Sequence, residues 1–273
     1  MSAGKTPKGA AKIRLVRMLA QLEKRRAYEC RLTPDRALAT IDEAEEFLRD
    51  RGLLTRTPDC SLPSLFEACH EEPYAPDKAG FGQWPRTKWG WSFALPARPG
   101  VYELKIHHRR KTLYVSDEIA RIIDPICRAE IARMREAPEW RLVLDHLADA
   151  GPATSEDLRM ELGLKLKELK KILYPLELCG TVVTRAIAPD EDGEVEGFEY
   201  ARWDQVFTEP SSDGGIEALV VAAVRAAVVA TEKEVPRWFA WPRRVDADLV
   251  ERLIRDGRLE RPEPGWVSAP ESA

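Results

Sequence analysis

Residues 140–202 read WRLVLDHLADAGPATSEDLRMELGLKLKELKKILYPLELCGTVVTRAIAPDEDGEVEGFEYAR. Trp140, Val143, Leu144 and Leu147 recur at helical spacing and predict a first helix, which Gly151-Pro152 breaks. Thr154 stands three residues before Asp157, a capping-box-like start, and Leu158 and Leu162 carry a second helix to Gly163. Leu166, Leu169, Leu173 and Leu176 share one face of a third helix, which Pro175 must bend because its ring removes a backbone bond. After Gly180, residues 181–187 read as a strand, 189–193 as a turn and 197–202 as the returning strand. Three helices followed by a hairpin spell a winged helix-turn-helix over 137–210.

The flanks repeat this order less regularly. Over 214–268, Ile216, Leu219, Val220, Ala223 and Val224 predict a first helix. Thr231 caps a second that runs to Phe239. Val245, Leu249, Val250, Leu253 and Ile254 predict a third, and residues 258–267 a truncated wing. Over 31–136, Thr33-Pro34 predicts a helix start with Pro at the first position, Leu38, Ile41, Ala44, Phe47 and Leu48 its buried face, and Gly52 its end. Leu62 to Cys69 suits a short helix. A Trp-rich loop, residues 81–91, follows. Val101 to Ser116 reads as a β-hairpin with a basic tip, and Ser116 caps a helix carrying Ile119, Ile122, Ile123, Ile126 and Ile131. Gly52, Gly180 and Gly257 each end a helix before a short strand, which argues for a unit used three times. The expectation is an α+β, mostly α chain of three tandem winged-helix units behind a basic arm, residues 1–30.

Composition narrows the class. Of 273 residues, 44% are apolar and eight are Trp, which excludes a disordered chain. The longest apolar stretch, Ala218 to Ala230, contains Arg225 and is shorter than the ~20 residues a membrane span needs. No apolar h-region marks a secretory signal, so a cytoplasmic chain is expected. Cys30, Cys60, Cys69, Cys127 and Cys179 are odd in number and show no Cys-x-x-Cys spacing, so buried free thiols are expected, with no metal and no cofactor. The net charge of −4 hides a strong asymmetry. Residues 1–30 hold eight Lys/Arg against Glu23 and Glu29, whereas 188–215 hold nine acids against Arg202.

Four stretches carry the chain's particular character: residues 62–68 (LPSLFEA), the Trp84-to-Trp91 cluster, the hairpin end 110–116 (RKTLYVS), and 239–243 (FAWPR) in the last unit. Their order resembles the small, three-winged-helix relatives of the AlkZ/YcaQ-type DNA glycosylases over roughly residues 33–268. That resemblance implies tandem winged helices around a concave, DNA-facing surface. The glycosylases position their attacking water with a Gln-x-Gln or Gln-apolar-Asp element. The three glutamines here, Gln21, Gln83 and Gln205, form no such pair. Gln21-Leu22-Glu23 is the nearest string, and an extra methylene that displaces the carboxylate by about an ångström can lower a rate ~100-fold. Whether the chain is an enzyme stays open. An excision reading would use Gln83, Glu67, or Gln21 and Glu23.

The residue pattern itself points to double-stranded DNA. Lys165, Lys167, Lys170 and Lys171 sit on the third helix of the middle unit, with 167, 170 and 171 opposite the leucine stripe. That helix enters the major groove in a winged helix, and Lys is a point charge suited to phosphate. Lys105, His107, His108, Arg109, Arg110 and Lys111 crowd the hairpin tip, the histidines adding charge below about pH 6.5. Solvated turn and helix charge is the competing account of both. Trp84, Trp89 and Trp91, with Phe81, either stack an extruded base or pack their loop against the first unit. The acidic wing, 190–196, repels phosphate and suits a protein partner instead. The expected function is duplex binding through the backbone, with alternatives of excision of alkylated bases, or a scaffold or transcriptional regulator.

Overall fold

The computed structural model of the chain describes residues 8–188, 194–241, 245, 246 and 248–270. It is an α+β structure, about half helical, with small antiparallel sheets. Helix α1 is Lys8–Glu29. The helix expected from Thr33-Pro34 divides: Pro34–Arg36 forms a single 3-10 turn, and α2 runs Ile41–Arg51. The cap is Thr40, whose hydroxyl accepts from Glu43 N–H at 3.2 Å while Glu43 accepts from Ala39 N–H at 2.8 Å. That reciprocal pair satisfies two N-terminal donors and outcompetes Pro34 as the starting point. Gly52 then turns the chain at φ 80°; a Cβ there would sit 2.9 Å from Ile119.

Strand β1 is Leu53–Thr55 and α3 is Leu65–Ala68, capped by Ser64. The Trp-rich loop holds only short turns and α4, Trp91–Ala94. The expected hairpin forms as β2 (Val101–His107) and β3 (Lys111–Ser116), and the sheet order is β1-β3-β2. Helix α5 is Asp117–Met134 and runs through Pro125. Ser116 does not cap it: its hydroxyl is buried and has no partner among the described residues. Asp117 and Glu118 in the first turn complement the helix dipole instead.

The stretch that opened the sequence reading keeps its expected order. Helix α6 is Pro138–Ala150, β4 Ala153–Thr154, α7 Ser155–Leu162, α8 Leu166–Leu178, β5 Val182–Ile187, β6 Gly197–Arg202 and α9 Trp203–Val206. Thr154 and Asp157 make the predicted capping box. The second sheet has the order β4-β6-β5. Helix α10, Ile216–Ala227, follows, then β7, Val229–Thr231. Thr231 is no helix cap. It pairs with Trp266, and only the 3-10 turn Val235–Arg237 follows among the described residues. Helix α11 begins at Leu249, later than the apolar spacing from Val245 implied, and ends at Arg255. The segment expected as a truncated wing folds back on itself: β8 (Trp266–Ser268) pairs with β7, and Ser268 also pairs antiparallel with Glu260.

One apolar cluster joins Leu53 and Ile123 to Leu173, Trp203, Val220, Trp238 and Val267, so all three segments contribute to a shared core. A second groups Leu38, Phe47, Leu48, Leu54, Phe66, Trp84 and Tyr114 beneath the Trp-rich loop. Asp124 fastens segments together. Its fully buried carboxylate accepts from Arg128 Nε at 2.8 Å, Trp203 Nε1 at 2.7 Å and Ser211 N–H at 2.8 Å. Three donors offset the desolvation of that charge. The free thiols of Cys30, Cys69, Cys127 and Cys179 are buried, with Cys60 half-buried. No helix among the described residues is long and apolar enough to cross a membrane.

Candidate nucleic-acid interface

Helix α8 divides cleanly by burial. Leu169, Leu173, Leu176 and Glu177 face inward. Lys167, Lys170, Lys171 and Tyr174, at i, i+3, i+4 and i+7, form the outer stripe. With Leu166 they line an open, shallow surface. Lys165 is exposed just before the helix, and its N–H donates to Glu168 at 2.8 Å. None of the four ammoniums is ion-paired among the described residues, so their charge is available to a ligand.

The hairpin tip meets this helix, and most of its charge is spent inside the fold. Glu177 is 2% exposed. Its Oε1 accepts from Lys105 Nζ at 2.6 Å and from Thr184 Oγ1 at 2.7 Å, and Oε2 accepts from Arg110 Nη1 at 2.8 Å. Lys105 also donates to Thr184 Oγ1 at 2.8 Å. Lys111 pairs with Asp59. These three cations hold β2 and β3 against their neighbours, where a free basic tip was expected. Arg110 nonetheless stays partly exposed, with its guanidinium 5.1 Å from the Tyr174 ring centroid. That cation–π contact joins the tip to the lysine stripe. Arg109 and His108 are exposed at the apex. Arg109 and Arg110 have φ of 57° and 58°, the left-handed region that side chains rarely adopt.

His107 is not a phosphate ligand. It is 2% exposed, and its Nδ1–H donates to the Trp238 carbonyl at 2.6 Å. Its Nε2 lies 3.9 Å from Cys60 Sγ. Burial lowers its pKa, outweighing the backbone contact that raises it, so the ring is neutral. Glu103, two residues before Lys105 on β2, is half-buried. Burial raises its carboxyl, against Lys105 and Arg56, which lower it. Burial likewise pushes the Cys60 thiol up to about 12 and Cys30 to about 11, so neither is a ready nucleophile.

The tryptophans separate. Trp84 is 8% exposed and belongs to the second core, 5.3 Å from Phe66 and 4.7 Å beneath the Arg56 guanidinium. It is a packing residue on one face. Trp89 and Trp91 are half-buried against the same core. Gln83 ties its own loop, donating to the Pro76 and Lys78 carbonyls at 2.9 and 2.8 Å. Glu67 is half-buried in α3, and Gln21 and Glu23 are exposed on α1. None of these four residues lines the lysine surface. The acidic wing falls mainly on 190–193, outside the described residues; Glu194 and Glu196 are exposed. Glu177 and Tyr174 escaped the sequence reading. A carboxylate four residues after Leu173 on the leucine face was the available signal, because a charge on a buried stripe needs a partner.

No protein-family model matches the chain, and comparison with curated proteins and with solved structures finds no match.

Proposed function

We propose that this chain is a tandem winged-helix protein that binds duplex DNA through its phosphate backbone, with α8 as the element that enters the major groove. The order α6-β4-α7-α8-β5-β6 supports that assignment for the middle segment. The observation that carries the reading is the exposed stripe of Lys167, Lys170, Lys171 and Tyr174, extended by Arg110 on Tyr174 and by Arg109 at the apex. Unpaired lysines on a helix favour phosphate over base edges, so the binding is tolerant of sequence. Lys165, Lys167, Lys170, Lys171 and Arg109 are five cations whose phosphate contacts would release counterions.

The logarithm of the affinity for a 20-base-pair duplex is therefore expected to fall against the logarithm of salt with a slope of about −4.5. Changing Lys167, Lys170 and Lys171 to Ala should flatten that slope by about 3 and weaken binding of unrelated sequences alike. A salt-independent affinity, or a triple variant that binds as the parent does, would falsify the reading.

A further inference from the structure

Residues 74–93 enclose a concavity of about 340 Å³ lined by Tyr74, Phe81, Trp84, Trp89 and Phe93. Every lining residue is aromatic. Phe81 leans on Trp84 with ring centroids 4.3 Å apart, and Trp89 meets Phe93 edge-on at 6.2 Å. Trp84 forms the floor. Tyr74 and Phe81 are 69% and 72% exposed, which leaves two large rings in water at the mouth.

The loop is built to keep them there. Tyr74 N–H donates to the Trp84 carbonyl at 2.7 Å, Ala75 N–H to Gly82 at 2.8 Å, and Gln83 clamps the Pro76 and Lys78 carbonyls. Glu71 accepts from Thr87 N–H at 2.9 Å and from Lys88 N–H at 3.2 Å. A Cβ on Gly82 would lie 2.7 Å from Lys78 Cβ and 2.8 Å from the Ala75 carbonyl. A rigid loop that presents aromatic faces loses little entropy when a ring stacks on them.

Charge selects the kind of ring. The Arg56 guanidinium already lies over Trp84, the floor of the concavity. A cationic ligand would be repelled by that positive charge; a neutral planar ring would not. Along the same loop, exposed Lys78 and Arg86 are matched in number by exposed Glu72 and Asp77. Phe93 also lines a second cleft, which reaches Thr184, the hydroxyl bound to Lys105 in the Glu177 cluster. Phe93 is thus shared by the two clefts.

We propose that this aromatic concavity holds one unpaired, neutral nucleobase of a DNA strand, stacked on Phe81 and Tyr74 above Trp84. The proposal rests on the duplex-binding reading and adds a base-accepting site to the phosphate-binding helix.

Fluorescence anisotropy with three duplexes of one sequence tests it: fully paired, with a single unpaired adenine, and with a single unpaired sugar lacking its base. The unpaired adenine is expected to tighten binding about tenfold over the other two. Phe81→Ala and Tyr74→Ala, both at exposed positions, should abolish that preference and leave the paired duplex bound as before. Lys170→Ala with Lys171→Ala should weaken all three duplexes equally. Equal affinity of the parent for the adenine and baseless duplexes, or a preference that survives both aromatic changes, overturns the proposal. If the parent binds no duplex, the duplex-binding reading fails separately. Adenosine then decides the concavity: saturable tryptophan quenching that Phe81→Ala removes supports a base site, and no quenching rejects it.

Discussion

Glu177 ties the hairpin to α8. Buried between Lys105, Arg110 and Thr184, it bridges two cations that otherwise repel each other at the neck of the hairpin. Breaking a buried ion pair usually destabilises by ~3–5 kcal/mol; here Lys105 and Arg110 reach solvent, which reduces the figure. Glu177→Gln is expected to lower stability by about 2 kcal/mol in denaturant unfolding while raising duplex affinity, because Arg110 loses its internal counter-charge. Unchanged stability would show that the pair does not hold the hairpin.

His107 makes a pH-dependent contribution. In the unfolded chain it binds a proton near pH 6.5; in the folded chain only at lower pH. Its stabilising share is present above about pH 6.5 and is lost as pH falls toward the folded value. Glu103 acts in the opposite sense. With its folded pKa raised, its share is full below about 4.5 and fades as pH rises through the folded value. Comparison with His107→Asn isolates the histidine. Between pH 7 and 5 the parent's melting temperature should drop more steeply than the variant's; parallel curves would mean the ring is not held neutral.

At the scale of elements, local chemistry explains most of what was legible. Helices α6, α7 and α8 stand where leucine spacing, Gly151-Pro152 and the Thr154–Asp157 pair put them, because each signal acts within one or two helical turns. The errors arose where two local signals competed. Thr33-Pro34 and Thr40-x-x-Glu43 both read as helix starts. The second won because it supplies two hydrogen bonds to the helix end, while Pro34 only fixes φ. Thr231 likewise offered a cap, but its backbone was claimed by Trp266 of β8, a partner 35 residues away in the chain. The exposed side of α8 was readable as cationic; that its stripe continues through Tyr174 to Arg110 was not.

Considered as a whole, the molecule is anionic with a cationic helix face. Its net charge of −4 coexists with four lysines at residues 165–171 that are unpaired among the described residues, because acids outnumber Lys and Arg over the whole chain while other cations are taken up in ion pairs, such as Lys111 with Asp59 and Arg258 with Glu217. The three segments share one core. Trp241 Nε1 donates to the Cys179 carbonyl at 3.1 Å, the Trp238 and Ile106 carbonyls accept from residues of the other segment, and Cys30 Sγ approaches Ala226. Because these contacts bind each segment to the others, thermal unfolding is expected as a single cooperative transition with equal calorimetric and van't Hoff enthalpies. Resolved successive transitions would show that the segments fold independently.

The amino-acid sequence alone determined helices α6 to α8, the hairpins β2-β3 and β5-β6, the helix ends at Gly52 and Gly180, and the cationic side of α8, since each follows from spacing and capping among near neighbours. Only the tertiary structure decided which cations remain available. Lys105 and Arg110 find Glu177 across 72 and 67 residues, and His107 finds the Trp238 carbonyl across 131. Pairing at that separation depends on which surfaces the shared core brings together, and local periodicity carries no record of it.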